Sequence, residues 1–296
     1  MKVGLALPAS DSASSTPTSL ARLAEYAITA EEAGYDSLWL MDHFWLEREG
    51  SHFGAHDPMI ALGYIASRTH HIQVGTLVAC NSFRHPGQLA REAAALADAS
   101  GGRFILGLGA GWHEPEYAAF GIPFDHKVGR LSETLEVVTR LLRGEHVTFS
   151  GDYVQFRDAA LSISATPPPL WIAGNRPRML QLTARYADGW NSAWFGADPT
   201  PFRDRLGGLW SAMDECGRPR DSIEVSAGIF VLPGRQDERI SALVLCGDSE
   251  EIAAGLRTYE EAGVQHVVLS LATAPFRLQD PTFIESVAKA IGLLAS

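Results

Sequence analysis

A glycine-rich segment followed by polar and aromatic residues is the part of this sequence that most strongly suggests chemistry. Gly107, Gly109 and Gly111 alternate at the end of an apolar run that begins at Phe104, and a tryptophan, a histidine and two acids follow within 112–116. Glycine weakens the interior of a strand, so three at alternate positions indicate that another backbone or a flat ligand lies against the chain. We predict a buried strand that ends at the rim of an active site, with tight strand–helix packing as the alternative.

The group best suited to proton transfer is a histidine at the end of an earlier apolar run. Asp42 and His43 directly follow the run 37–41, and Trp45 comes shortly after them. An imidazole titrates near neutral pH, so His43 can hydrogen-bond a redox ring or relay a proton. We expect Asp42 to hold the loop or orient a ring, and Trp45 to desolvate the imidazole. The alternative is a structural histidine that ends the strand.

A third segment has the features of an anion site. Ala173, Gly174, Asn175 and Arg176 join an apolar run directly to a helix that has Pro177 in its first turn. Free N–H groups at such a helix start favour an anion, typically a phosphate, and an arginine adds charge-assisted donors. An ordinary strand–helix turn with solvated arginines is the alternative.

Eight apolar runs, each followed by a segment of helical periodicity, are available to position these residues. The first covers 2–8 and the last 266–271. Near-continuous apolar strands that alternate with helices are typical of a parallel sheet covered by helices, so we predict an α/β fold, the (β/α)8 TIM barrel. A β-hairpin inserted near 146–161 interrupts the alternation. We assign all of 1–296 to one domain, with a doubly wound open sheet as the alternative.

Composition excludes several classes of protein. The chain has 296 residues, 46% of them apolar, and a net charge of −11 with its acids spread out, which argues against a nucleic-acid or anionic-membrane surface. No apolar run reaches the length of a membrane span, and residues 1–20 lack a signal-peptide pattern, so we expect a cytoplasmic protein. Cys80, Cys216 and Cys246 are far apart and odd in number, which implies no disulfide framework.

The sequence gives weaker support for a metal site or a catalytic nucleophile than for a redox cofactor. His52 and His56 lie with Asp57 in a glycine-bearing loop, and the pair 70–71 lies at the closed end of a strand, so we assign no metal ligands. A barrel metallohydrolase is kept as an alternative. No Gly-x-Ser-x-Gly elbow is present. We interpret Cys80 as a small wall residue in preference to a reactive thiol.

Taken together, these segments resemble the bacterial luciferase-like monooxygenase superfamily, and within it the branch that uses the deazaflavin coenzyme F420. The resemblance covers nearly the whole chain and depends on the order and spacing of several motifs. These motifs are 40–44, 75–86, 101–112, 169–174 and 187–190.

The resemblance implies a luciferase-like TIM barrel with a cofactor lying across its C-terminal rim. It places Asp42 and His43 beside the deazaflavin ring, and it implies a non-proline cis peptide between Leu77 and Val78 behind that ring. Cys80 and Gly111 match positions of the cofactor pocket. Residues 173–176 match the phosphate-binding turn, and the family commonly forms homodimers.

One departure from the family pattern concerns the proton donor. Trp112 stands where the sugar-phosphate dehydrogenases of this branch have a glutamate that donates a proton. We therefore do not expect a sugar-phosphate substrate, and the acid stays unassigned. Glu114 and Glu116 are candidates for it, with a solvated face as the alternative.

These observations predict an oxidoreductase that moves a hydride between coenzyme F420 and a small apolar or aromatic substrate. The alternatives are an FMN-dependent monooxygenase supplied with reduced flavin by a separate reductase, the metallohydrolase, and a non-catalytic ligand-binding barrel. The substrate pocket is expected between the loops 45–56 and 112–126, from the aromatic residues Trp45, Phe53, Trp112, Tyr117, Phe120 and Phe124.

Overall fold

A computed structural model describes residues 1–8, 16–48, 51–162, 166–234, 243–271 and 282–295. Its strands are β1 (Lys2–Ala6), β2 (Ser37–Leu40), β3 (Trp45–Arg48), β4 (Ser51–Gly54), β5 (Gln73–Thr76), β6 (Ala79–Cys80), β7 (Phe104–Gly109), β8 (Val147–Ser150), β9 (Gln155–Ala159), β10 (Leu170–Ala173), β11 (Gly189–Phe195), β12 (Glu224–Pro233), β13 (Leu245–Gly247) and β14 (His266–Ser270). Its α-helices are α1 (Leu20–Glu32), α2 (Pro58–Ala66), α3 (Pro86–Ala99), α4 (Glu114–Ala119), α5 (Lys127–Leu142), α6 (Pro177–Tyr186), α7 (Thr200–Glu215), α8 (Ser249–Glu261) and α9 (Thr282–Ala295).

Eight of the strands form a closed parallel barrel, as the sequence predicts. Their order round the barrel is β1, β2, β5, β7, β10, β11, β12 and β14, and pairing of β14 with β1 closes the ring. Because every strand is parallel to its neighbours, all the carboxyl ends meet at one rim. The segments singled out in the sequence follow β2, β5, β7 and β10, so the fold brings them to that rim.

The inserted hairpin is also confirmed, and the two loops expected to form the substrate pocket contain small elements that were not predicted. The strands β8 and β9 pair antiparallel within 147–159. The segment 45–56, expected to be a loop, contains the antiparallel hairpin β3–β4. The segment 112–126 contains α4, a helix of 6 residues. A helix this short spans less than two turns, so it carries too few positions for a periodic pattern to show.

Two tryptophans fill the middle of the barrel. Trp39 of β2 and Trp171 of β10 are both buried, with ring centroids 4.9 Å apart. Glycines on neighbouring strands leave room for these rings. A Cβ on Gly75 would lie 2.5 Å from the ring of Trp39, and one on Gly189 would lie 2.3 Å from that of Trp171. The interior is therefore a packed core, and any ligand must bind above it.

Among the described residues, none of the helices has both the length and the apolar character that crossing a membrane requires.

Candidate active site

A cavity of about 250 Å³ opens at the carboxyl ends of the barrel strands. It gathers seven of the ten predicted site residues, namely Asp42, His43, Leu77, Val78, Cys80, Gly111 and Ala173. The other lining residues are Met41, Trp112, Glu116, Asn191, Ala193 and Trp194. Segments that follow four different strands thus line one cavity. The sequence predicts that they meet only if the barrel fold is assumed.

The floor and walls of the cavity are mostly apolar. Leu77 and Trp194 pack against the buried cluster that contains the two barrel tryptophans. The peptide bond between Leu77 and Val78 is cis, as the resemblance implies, and a second cis bond joins Ala193 to Trp194. Both bonds lie in the cavity wall; the first directly follows β5 and the second is in β11, three strands away round the barrel. The space between them is bounded by small and flat side chains.

The glycines of β7 make room for the neighbouring strand segment. A Cβ on Gly107 would lie 2.0 Å from the carbonyl oxygen of Thr76, and one on Gly109 would lie 2.6 Å from the side chain of Val78. Both distances are far inside van der Waals contact. The close neighbour that the alternating glycines predicted is therefore the segment after β5, which forms one wall of the cavity.

Gly107→Ala is expected to lower the free energy of unfolding by about 1–3 kcal/mol, because its methyl group would meet backbone that cannot rotate away. Urea denaturation followed by circular dichroism would measure the change. Gly207→Ala is the matched control, since a Cβ there has nothing within 4 Å and the residue lies in α7. We expect that variant to be up to about 1 kcal/mol more stable. Equal stability of Gly107→Ala and wild type would contradict the close approach.

Cys80 is a neutral wall residue. Its Sγ lies 2.9 Å from the hydroxyl oxygen of Tyr117, which is 3.2 Å from the carbonyl oxygen of Ala110. Burial raises the pKa of Cys80 to about 11, although the contact with Tyr117 opposes the rise. Gly111, with φ +79°, leaves room for the Tyr117 hydroxyl, which a Cβ there would meet at 1.8 Å. Tyr117 is buried, so its expected place in the substrate pocket is wrong.

Asp42 anchors the rim. Its carboxylate accepts two hydrogen bonds from the guanidinium of Arg84, one of them at 3.2 Å, and one from the backbone N–H of Cys80 at 2.8 Å. Arg84 also donates to Asp57, at the start of α2, and forms an ion pair with Glu92 of α3 at 3.2 Å. The pair of Asp42 and Arg84 thus ties together the end of β2, strand β6 and the helices α2 and α3.

The charges in this cluster depend on one another. Burial raises the pKa of Asp42, and the guanidinium of Arg84 and the N–H of Cys80 oppose that rise. Burial lowers the pKa of Arg84, but the carboxylates of Asp42 and Asp57 outweigh it and leave the pKa raised. Asp42 therefore has a structural partner in Arg84, which the sequence analysis did not identify.

His43 is held by an acid that the sequence left unassigned. Its Nδ1 lies 2.8 Å from Oε1 of Glu116, whose other oxygen accepts the backbone N–H of Phe44 at 3.0 Å. Glu116 is 1% exposed, so the alternative of a solvated face is wrong for it, whereas Glu114 is exposed. A carboxylate only accepts hydrogen bonds, so ionised Glu116 places the proton of neutral His43 on Nδ1 and leaves Nε2 as an acceptor.

Among the aromatic residues expected to form the substrate pocket, Trp112 lines the cavity. The ring of Trp112 lies 5.6 Å from that of His43, and Trp45 lies 5.3 Å from His113. Phe124 is covered by Lys127, whose Nζ is 3.3 Å from the ring centroid. The side chain of Phe53 lies outside the described part of the structure.

The predicted anion turn continues from the cavity wall. Ala173 lines the cavity, and Gly174, Asn175 and Arg176 follow it, the last two exposed. The Ser192 hydroxyl donates to Oδ1 of Asn175 at 2.8 Å. No side chain among the described residues caps the start of α6. A phosphate-binding role for this turn stays a prediction.

Two of the histidines considered for a metal site, His70 and His71, lie apart from the cavity. The rings of His70 and His71 are each 3.5 Å from the Glu31 carboxylate, before the start of β5 and so at the end of the barrel opposite the rim. The side chain of His52 is outside the described residues. Within the described residues, no three His, Cys, Asp or Glu side chains are grouped so that they could hold a metal ion.

Sequence reasoning missed Arg84 as a site residue, and it named Glu116 only as one of two candidates for the acid. Arg84 was inside a motif that carried the resemblance, and an arginine between a strand and a helix start needs acidic partners when it is buried. Glu116 had no local signal beyond its place shortly after the glycines of β7. Its partner is 73 positions away in the sequence, so only the fold shows the contact.

Comparison with known protein families gives one match that covers most of the chain. The sequence model described as luciferase-like monooxygenase matches residues 1–242. The F420-dependent glucose-6-phosphate dehydrogenase of Amycolatopsis mediterranei is 37% identical over 175 residues, which are 56% of this chain and 51% of that protein. The F420-dependent hydroxymycolic acid dehydrogenase of Mycobacterium tuberculosis is 35% identical over 176 residues, 57% of this chain and 48% of that protein. The chain thus spans about half the length of these curated relatives.

Solved structures with the same fold cover nearly the whole chain. An F420-dependent secondary alcohol dehydrogenase in complex with an F420–acetone adduct has a TM-score of 0.82 at 20% identity, over 99% of this chain and 98% of that chain. The F420-dependent tetrahydromethanopterin reductase of Methanopyrus kandleri has a TM-score of 0.80 at 21% identity, over 99% of each chain. At such identities the likeness shows a common fold.

Proposed function

The chain belongs to the luciferase-like monooxygenase family, and from that premise we propose that it is an oxidoreductase that transfers a hydride between coenzyme F420 and a small organic substrate. The observation that carries the proposal is His43, held by buried Glu116 at the edge of a cavity with flat apolar walls. The names of the two curated relatives, both F420-dependent dehydrogenases, support the choice of cofactor.

The residues of the cavity fit a flat, largely apolar ring system. Leu77 and Val78 form one side, Ala193 and Trp194 another, and Ala173 adds a small side chain between them. Such walls suit a planar heterocycle, because they offer area for van der Waals contact and few polar groups to desolvate. The turn 174–176 would hold the phosphate arm. When bound, the deazaflavin supplies a ring carbon that accepts or donates a hydride.

The protein's own contribution to the reaction is proton transfer at His43. Glu116 accepts the Nδ1 proton and keeps the ring in the tautomer whose Nε2 is an acceptor. Nε2 then takes the hydroxyl proton of an alcohol during its oxidation and returns it during the reverse reduction. The imidazolium formed in between is stabilised by the buried carboxylate at 2.8 Å.

The proposal is tested by titrating the purified protein with F420 and with FMN in parallel, following the fluorescence of each cofactor. We expect saturable binding of F420 and at least tenfold weaker binding of FMN. Ala173→Leu should raise the Kd for F420 at least tenfold, because its larger side chain fills the cavity, and Gly207→Ala should leave the Kd unchanged. Tight binding of FMN in place of F420 would instead favour a flavin-dependent monooxygenase.

The remaining expectations stay proposals. These are a homodimer, a cytoplasmic location, a single domain over 1–296, and a separate reductase that returns the cofactor to its reduced form when the substrate is being reduced.

A further inference from the structure

We infer that Asn191 orients the ring of the cofactor by accepting a hydrogen bond from the imide N–H of its pyrimidinedione end. In that end of a deazaflavin the N–H lies between two carbonyl groups. The inference rests on the proposed function and deepens it, because it names a polar contact that fixes the ring in a cavity whose walls are mostly apolar.

The side chain of Asn191 points into the barrel. Successive side chains of a strand point to opposite faces, so Gly189, Asn191 and Ala193 share one face of β11. A Cβ on Gly189 would meet the ring of Trp171 in the packed core, whereas Asn191 and Ala193 both line the cavity. The amide of Asn191 therefore lies at the level where the packed core ends and the cavity begins.

One end of this amide is held by the protein, and the other end is unpaired. Nδ2 donates to Oγ of Ser226 on β12 at 3.0 Å, and Ser226 is fully buried. No residue in the described part of the chain donates a hydrogen bond to Oδ1. This oxygen is also not among the unpaired atoms that the described residues seal off in the interior, so it faces the space of the cavity.

The unpaired oxygen indicates a ligand that carries a donor. Asn191 is only 2% exposed, so its amide is almost entirely removed from bulk solvent. A buried acceptor without a donor costs free energy, and nearly all such groups in proteins have a partner when their ligands are bound. A donor on a molecule in the cavity would remove that cost.

The deazaflavin ring has the matching group. The oxidised ring carries a single N–H, the one between the two carbonyls of its pyrimidinedione end. The apolar side chains of Leu77, Val78 and Ala173 line the same cavity and cannot accept it. Burial of this N–H against them alone would weaken binding, whereas Oδ1 of Asn191 replaces the hydrogen bond that the N–H loses from water.

Asn191 and His43 lie on opposite sides of the barrel mouth. In the ring of eight strands β11, which contains Asn191, is four strands from β2, which precedes His43. The amide therefore contacts one end of the bound ring, and the imidazole on the other side stays available for the proton of the substrate. Asn191 takes no part in proton transfer, and its role is to be measured by cofactor binding.

A matched pair of ligands tests the contact on the wild-type protein. The probes are coenzyme F420 and its N3-methyl derivative, in which a methyl group replaces the imide proton, each titrated by its fluorescence. We expect the methyl derivative to bind at least about 30-fold more weakly, because it cannot donate to Oδ1 and its methyl group meets the amide.

Variants assign the effect to Asn191. Asn191→Leu keeps the size of the side chain without an acceptor, so the Kd for F420 should rise about tenfold. In Asn191→Ala, which removes both the acceptor and the bulk, the ratio of the two Kd values should fall below about threefold. Ser226→Ala frees the amide to turn away and should raise the Kd for F420 about threefold. Ser211→Ala, which removes an exposed hydroxyl from α7, should change neither quantity.

The outcomes separate this inference from the proposed function. Equal binding of the two probes by the wild-type protein, an unchanged ratio in Asn191→Ala, or a wild-type Kd for F420 in folded Asn191→Leu would overturn the role of Asn191 alone. Circular dichroism establishes that each variant is folded, and the comparison of the two probes on the wild-type protein needs no variant. Failure of the wild-type protein to bind F420 would overturn the proposed function.

Discussion

Replacement of Arg84 by methionine is expected to lower the free energy of unfolding by about 3–5 kcal/mol. The Arg84 side chain is 7% exposed, and its guanidinium contacts the carboxylates of Asp42, Asp57 and Glu92. Without it, Asp42 keeps only the N–H of Cys80 as a described partner for a buried charge. Urea denaturation at neutral pH, followed by circular dichroism, would measure the loss.

Two further variants identify the cause. Arg84→Lys keeps the charge but cannot form the two-pronged contact with Asp42, so we expect an intermediate loss. Adding Asp42→Asn to Arg84→Met should recover part of the stability, because the uncompensated charge is then absent. In Arg84→Met the pKa of Asp42 should rise further above its unfolded value. The deficit should therefore shrink as the pH falls through that raised pKa, and a deficit independent of pH would contradict the explanation.

Glu116→Gln is expected to lower kcat by about 10²–10⁴-fold with little change in the Kd for F420. A glutamine amide can donate a hydrogen bond to Nδ1 of His43, which lies 2.8 Å from the carboxylate in the native protein. The proton of the neutral imidazole would then sit on Nε2, which could no longer accept the substrate proton. Single-turnover reduction of F420 by an alcohol that the wild-type protein oxidises would measure the effect, and fluorescence titration would measure the Kd.

Glu114→Gln is the matched control for this prediction. It makes the same chemical change on the same short helix, but Glu114 is exposed and is expected to leave kcat unchanged. Because His43 and Glu116 act as a unit, the double variant His43→Ala/Glu116→Gln should be no slower than His43→Ala alone. Wild-type kcat in Glu116→Gln would show that the carboxylate does not control the histidine.

Local patterns in the sequence were sufficient for most of the architecture. Runs of apolar residues alternating with helical periodicity indicated the eight-stranded barrel, and the break in that alternation indicated the hairpin that β8 and β9 form. Proline in the first turn signals a helix start through short-range geometry, as it does at α2 and α3. The placement of His43 at the rim followed from the barrel fold alone, because His43 comes just after β2 and all the parallel strands end at the same rim.

Contacts between distant residues were decided only by the tertiary structure. Glu116 meets His43 across 73 positions, and Arg84 meets Asp42 across 42. An acid in a helix of six residues carries no periodic signal that separates a buried carboxylate from a solvated one. Which acid reaches the histidine depends on where the loops after β2 and β7 meet in space. These two loops become neighbours only when the barrel has closed.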